Sequence, residues 1–185
     1  MTHFMNVMTV VPMQAPSILD DRSSKTLLAN NGCHWRAISD TVMGGTSSVQ
    51  LVPAEICGRT CLRLTGEVSL ENNGGFVQAS LDLSDKGLLD ASKFSGIEVD
   101  VLGNNEIYNL HLRTDDTTIV WQSYRASFNA MQNWQTIRLP FDSFIPHRID
   151  VPLDTSRLRR LGVVAIGRTM QADICISRLA LYLTA

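Results

Sequence analysis

Residues 97–101 read Ile97-Glu98-Val99-Asp100-Val101, and residues 108–113 read Tyr108-Asn109-Leu110-His111-Leu112-Arg113. Apolar and polar side chains alternate in both with a period of two. That is the spacing of a strand with one face in a core and the other in water. Downstream, the alternation predicts one long strand over 117–129. There Val120, Gln122, Tyr124, Ala126 and Phe128 share one face, and Ile119, Trp121, Ser123, Arg125 and Ser127 share the other. Ile137 and Leu139 keep the pattern until Pro140 stops it. Residues 161–166 are almost wholly apolar, which suits a strand buried on both faces. Ile174 and Ile176 alternate in one phase and Leu179, Leu181 and Leu183 in the other, so a bulge is expected near Ser177 and Arg178.

Upstream, strands are expected around 35–39, 47–52, 61–70 and 75–83. Turn residues separate them: Asn30-Asn31-Gly32, Gly44-Gly45, Asn72-Asn73-Gly74-Gly75, Gly103-Asn104-Asn105 and Asp115-Asp116. Many short strands with regular turns argue for an all-β sandwich. The helix candidates are short, at 88–94 and 156–160. Residues 1–25 mix Met, Pro, Ser and charge without a period and read as a tail, partly ordered or extended, ahead of a single domain over 26–185.

At 185 residues, the chain is long enough to bury a core without staples. Sixteen Lys and Arg against eighteen Asp and Glu leave a net charge of −2, which does not call for nucleic acid as a partner. Arg157, Arg159 and Arg160 make one small basic patch, which reads as a solvated face. No apolar run approaches the ~18 residues of a membrane-spanning helix. The first residues have neither the charged start nor the apolar stretch of a secretory signal, and no Arg precedes Arg22, so a cytoplasmic chain is expected. In such a compartment Cys33, Cys57, Cys61 and Cys175 read as free thiols. Cys57 and Cys61 flank a hairpin tip, without the second ligand pair that a zinc site needs.

Catalytic patterns are missing. There is no phosphate-binding glycine loop, dinucleotide fingerprint or serine elbow. His3, His34, His111 and His147 lack metal-ligand spacing, and no cofactor or metal is expected. Asp20-Asp21, Asp115-Asp116 and Asp82 with Asp85 are carboxylate pairs in turn sequences, where they serve as turn formers. None has the ligand spacing of a calcium loop. The chain therefore reads as non-enzymatic.

Two segments stand out. The first is Asp40-Thr41-Val42-Met43-Gly44-Gly45-Thr46-Ser47. Its paired glycines allow close backbone approach, Asp40 can bond backbone N–H groups, and Met43 is an adaptable contact residue. The second, Gly66-Glu67-Val68-Ser69-Leu70-Glu71-Asn72-Asn73-Gly74-Gly75-Phe76, builds a tight turn and returns Phe76 to the core. Each could be no more than a well-ordered turn.

Together these segments resemble the complex I intermediate-associated protein 30 family. The resemblance continues through Phe94-Ser95-Gly96-Ile97, the strand with Tyr108, Leu110, Leu112 and Arg113, and the Trp134–Pro146 segment with Pro140-Phe141 and Phe144. It closes on Leu161-Gly162-Val163 and on Ile176, Leu179, Leu181 and Tyr182. It implies a galactose-binding-domain-like jelly roll of two antiparallel sheets with short helical segments, and no catalytic activity. One departure is Pro146-His147-Arg148-Ile149-Asp150, where many relatives carry an Arg-Gly-Arg type segment and this chain keeps a single Arg.

Two functions follow. One is a protein-interaction or assembly-factor domain that meets respiratory complex subunits or assembly factors through Asp40, Met43, Gly44, Gly45, Ser47, Asn72, Asn73, Gly74 and Gly75. The other is a carbohydrate- or small-ligand-binding module using Tyr108, His111, Arg113, Trp121 and Tyr124 on a sheet face. Large aromatics in strands usually belong to the core, which weighs against part of the second set.

Overall fold

The structure is a computed structural model that describes residues 17–184. Its strands are β1 (Ser17–Asp20), β2 (Arg36–Ser39), β3 (Ser48–Ile56), β4 (Arg59–Val68), β5 (Phe76–Asp82) and β6 (Gly96–Leu102), then β7 (Glu106–Thr114), β8 (Ser123–Ala130), β9 (Gln135–Pro140), β10 (Ile145–His147), β11 (Leu158–Ile166) and β12 (Met170–Tyr182). They form two six-stranded antiparallel sheets. Sheet I runs β3-β4-β12-β6-β9, with β1 paired to β12; sheet II runs β10-β8-β7-β11-β5-β2. This is the expected β-sandwich.

The alternation explains the two layers. Leu62 and Leu64 of β4, Ile97, Val99 and Val101 of β6, and Ile174, Ile176, Leu179 and Leu181 of β12 point inward from sheet I. Val77, Ala79 and Leu81, Tyr108, Leu110 and Leu112, Tyr124, Ala126 and Phe128, and Leu161, Val163 and Ala165 meet them from sheet II. Each large apolar side chain so buried contributes about 1.5–3 kcal/mol relative to exposure. The phase change in β12 is a register shift between Ile176 and Arg178. It lets one long strand keep apolar groups inward on both sides of the shift.

Four expectations meet a different structure. Residues 117–122 are loop, and β8 begins at Ser123. Thr117 turns the chain by donating its hydroxyl to Thr114 O at 2.7 Å, and the Gln122 carboxamide oxygen accepts from the N–H groups of Thr118 and Ile119. These local bonds displace the strand ladder. Segments 88–94 and 156–160 are not helical. Leu89 and Leu158 bridge to each other, while Asp90 and Asp154 accept from the N–H groups of Ser92 and Ser156 two residues on, a turn-forming bond that competes with helix. The short helical segments lie instead at Asp40–Met43, Glu71–Asn73 and Phe141–Ser143. Residues 17–25 sit in the sandwich rather than ahead of it. β1 pairs with β12, and the buried Asp20 accepts from Trp35 Nε1 at 2.7 Å and from Arg22 Nη1 at 2.6 Å. The rest of the expected tail lies outside the described residues.

Cys57 and Gly58 form the two-residue turn between β3 and β4, with φ of 46° and 78°, and all four cysteines are free. Cys57 is exposed whereas Cys61 is buried in β4 opposite Ala54, so the two thiols do not face each other.

Candidate functional site

The two glycine-rich segments are one structure, built around Asp40. Asp40 opens a single 3-10 turn capped by Ser39 and closed by Gly44 at φ 86°. Its side chain is wholly buried and accepts from Ser47 N at 3.0 Å, Gly75 N at 2.5 Å, Phe76 N at 3.2 Å and the Ser47 hydroxyl. Burial pushes the Asp40 carboxyl up, but these donors outweigh it and hold the group below the usual carboxylate range. Two of the glycines exist for this carboxylate. A Cβ on Gly45 would stand 2.3 Å from Asp40 Oδ1, and one on Gly74 2.6 Å from Oδ2. Asn72 and Asn73 take left-handed φ of 54° and 57°, and Asn72 Nδ2 donates to Gly44 O at 3.3 Å. Asp40, Ser47 and Gly75 are therefore buried and cannot touch a partner, whereas Met43, Gly44, Asn72 and Asn73 are exposed.

This welded loop is one wall of a cleft of about 370 Å³ on the outer face of sheet II. Val42 and Met43 stand on that wall, and Val120 and Trp121 of the 117–122 loop stand on the other. The floor comes from the outward positions of five strands: Ile38 of β2, Phe76 and Gln78 of β5, His111 and Arg113 of β7, Arg125 of β8, and Arg160, Gly162 and Val164 of β11. His111 lies directly between Arg125 and Gly162 in the sheet register. The Gln78 carboxamide oxygen lies in the space that Gly162 leaves, 2.4 Å from where a Cβ would stand.

Of the five residues expected on a ligand-binding face, the structure brings together His111, Arg113 and Trp121. Tyr108 and Tyr124 belong to the core and are removed from that set. Their strand phase is inward, Tyr108 packs on Phe128 at 6.3 Å, and their hydroxyls are used internally. Tyr108 donates to Asn104 Oδ1 and Tyr124 to Val151 O, each at 2.7 Å. Gln78 and Arg125 were not among the candidates. The signal was present, since both sit in the outward phase of their strands. The phase that contains Tyr124 also contains Ala126 and Phe128, which marks it as the core side.

The electrostatics of the floor are one-sided. Arg113 Nη2 donates to the loop carbonyls of Thr117 and Ile119 at 3.1 and 3.2 Å, which ties the second wall to the floor. Arg125 Nε donates to Ser123 Oγ at 2.9 Å. His111 Nε2 and Arg113 Nε are buried without a hydrogen-bond partner among the described residues. Burial pushes His111 down to about 3, helped by Arg125 and His147, so its imidazole is neutral. Burial also lowers Arg113 and Arg125, and the neighbouring charges that add to this are cationic: Arg160 and Arg159 for the first, Arg148 for the second. No carboxylate lines the cleft among the described residues. No group of three His, Cys, Asp or Glu side chains is placed to hold a metal among them either.

The sequence pattern of the complex I intermediate-associated protein 30 family matches residues 24–175. The chain belongs to this family. No curated protein matches the chain. Among solved structures, this family member is similar to the family 11 carbohydrate-binding module of a cellulosomal cellulase of Clostridium thermocellum. The TM-score is 0.71 and the identity 17%, over 91% of this chain and 95% of that one. The same module in complex with a β-1,3-1,4-mixed-linked tetrasaccharide gives a TM-score of 0.69 at 17% identity, over 91% and 96% of the two chains. A family 30 carbohydrate-binding module of another cellulosomal cellulase of that organism gives 0.63 at 16%, over 90% and 95%. At such identities the likeness establishes the fold alone, which this chain shares with carbohydrate-binding modules. No helix among the described residues is long and apolar enough to cross a membrane.

Proposed function

We propose that this chain is a non-catalytic domain that holds a segment of a client protein in the sheet II cleft, in the manner of an assembly factor. The observation that carries the reading is the cleft itself: a ready-made concavity with apolar walls on two loops and hydrogen-bonding groups left over on its floor. Walls made of Val42, Met43, Val120 and Trp121 favour apolar side chains of a partner over water. The family's name associates it with an intermediate of complex I, which makes respiratory complex subunits or assembly factors the client class.

A photo-crosslinking residue placed at Met43 or Trp121, against one at Val52 on sheet I, tests this in the source cells. Specific protein adducts at the first two positions and none at Val52 are the expected result. Adducts distributed without regard to face would sink it.

A second reading, a carbohydrate- or small-ligand-binding module, is favoured by the position of Trp121 on the same sheet-face cleft and by the fold shared with carbohydrate-binding modules. The donor set weighs against it. The floor has acceptors for sugar hydroxyls in Gln78 and the neutral His111, but its guanidinium groups add positive charge that a neutral sugar leaves without an anion. Binding on a glycan panel that is lost in Trp121→Ala would reverse the ranking.

A further inference from the structure

Every arginine lies within 4.0 Å of a carboxylate in the described residues except Arg113, Arg125 and Arg148. These three are gathered in one place. Arg113 and Arg125 are on the cleft floor, flanking His111. Arg148 follows β10, which pairs with β8 beside Arg125. Its carbonyl accepts from Gln122 Nε2 of the cleft rim at 3.2 Å, and it is close enough to bear on the charge of Arg125. A half-buried guanidinium beside like charges is costly unless something negative offsets it. The molecule supplies that offset elsewhere. Asp82, at the end of β5, is taken by Arg36 at 3.2 Å and by the lining residue Arg160 at 2.7 Å, and Asp115, two residues past Arg113, is taken by Arg157 and Arg159. The cleft thus has cationic donors, two unbonded buried nitrogens and no acid of its own.

We propose that the cleft recognises a carboxylate borne on an apolar polypeptide segment, with Arg113, Arg125 and Arg148 as counter-charges and the Val42–Met43 and Val120–Trp121 walls covering the apolar neighbours of that acid. The inference rests on the protein-binding reading above and names the chemistry of the client. Two observations choose this occupant. The fork of a guanidinium fits a carboxylate, whose single charge costs less to bring between apolar walls than the charge of a phosphate. The wall residues also remain widely exposed, 53% for Met43 and 51% for Trp121, so covering them takes a ligand longer than the cavity, as an extended chain is.

The test is selection of a random dodecapeptide phage library on the full chain. Calorimetric titration then follows with the best synthetic peptide and with its neutral Asp→Asn or Glu→Gln analogue. Selected peptides should carry an acid next to bulky apolar residues. The neutral analogue should bind at least tenfold more weakly, and Arg125→Gln should weaken the acidic peptide by a similar factor with no loss in melting temperature. Arg125→Lys should recover part of the affinity, because it keeps the charge without the fork.

Selection of neutral peptides, bound equally by Arg125→Gln but weakened by Trp121→Ala, overturns the acidic inference and leaves the cleft as a protein-binding site. No selected peptide overturns both. So does Arg125-dependent binding to phosphatidylglycerol vesicles or to a glycan panel in place of peptide.

Discussion

The outer face of sheet I and the cleft floor of sheet II carry similar side chains and use them in opposite ways. On sheet I, Glu98 is buried and clamped between Arg138, at 2.6 Å, and Arg178. Arg63 grips Asp173 through two bonds of 2.9 and 2.7 Å, and Asp100 accepts from Thr136 at 2.7 Å with Arg59 at 3.8 Å. Arg138, Arg178 and Arg63 each meet an anion on the neighbouring strand, and Arg59 reaches across β12 to Asp100, so opposite charges face each other along the sheet. On sheet II, Arg113 and Arg125 also point outward, but their hydrogen bonds go to uncharged oxygens of Thr117, Ile119 and Ser123, and the charges that act on them are cationic. The first face neutralises its charges within itself, and the cleft on the second leaves two guanidinium groups without an anion among the described residues.

The contrast can be broken at four places. The largest effect is expected at Asp40, which holds one wall of the cleft. Asp40→Ala would leave the N–H groups of Ser47, Gly75 and Phe76 without their acceptor and should cost about 3–4 kcal/mol in a urea melt. A cost under about 1 kcal/mol would mean that the two glycine loops are held by something else.

Next comes pH. His111 is held far below its usual value in the folded chain, so the unfolded chain takes up a proton that the folded one refuses. Its stabilising contribution is full above pH ~6.5 and falls by up to about 1.4 kcal/mol per unit as pH drops from there toward 3. His111→Gln should flatten most of that slope between pH 6 and 5, with a remainder from His147, which burial and the nearby Arg125 and Arg148 also lower. A slope unchanged by His111→Gln would place the proton uptake outside the cleft.

On sheet I, Glu98→Ala would leave Arg138 and Arg178 without their shared anion and should cost about 2 kcal/mol, less than a fully buried pair because Arg138 reaches solvent. Burial raises the Glu98 carboxyl, but the two guanidinium groups win and hold it low. Its contribution is therefore present above the ordinary carboxylate range and lost as pH falls through its lowered value. The smallest effect is expected from Arg125→Leu on sheet II. It removes an unpaired, half-buried charge and should leave stability unchanged or raise it by up to about 1 kcal/mol. If Arg125→Leu destabilised the chain as much as Glu98→Ala, the two faces would not differ in kind.

The layers themselves were legible from alternation. Ile97, Val99 and Val101, and Tyr108, Leu110 and Leu112, announce an inward face because the side-chain period of a strand is a local property. Even the phase switch in β12 was visible, since a one-residue slip reverses every side chain after it. The failures lie where local bonds overrode the pattern. Thr117 and Gln122 curl 117–122 into a loop despite its alternation, and Asp90 and Asp154 turn segments that looked helical.

The candidate site was legible in pieces. His111, Arg113, Trp121 and the Met43 loop could each be singled out, but the residues that meet in the cleft come from five strands and two loops far apart in the chain. Residues 40–47 and 72–76 looked like two separate turns until the Asp40 carboxylate was seen to bond across 35 residues to Gly75. Strand periodicity comes from backbone geometry that each residue carries with it, so the chain alone determines it. Which arginine finds an acid depends on which strands lie side by side, and only tertiary packing decides that. That packing paired Arg138 and Arg178 with Glu98 and left Arg113 and Arg125 facing the cleft.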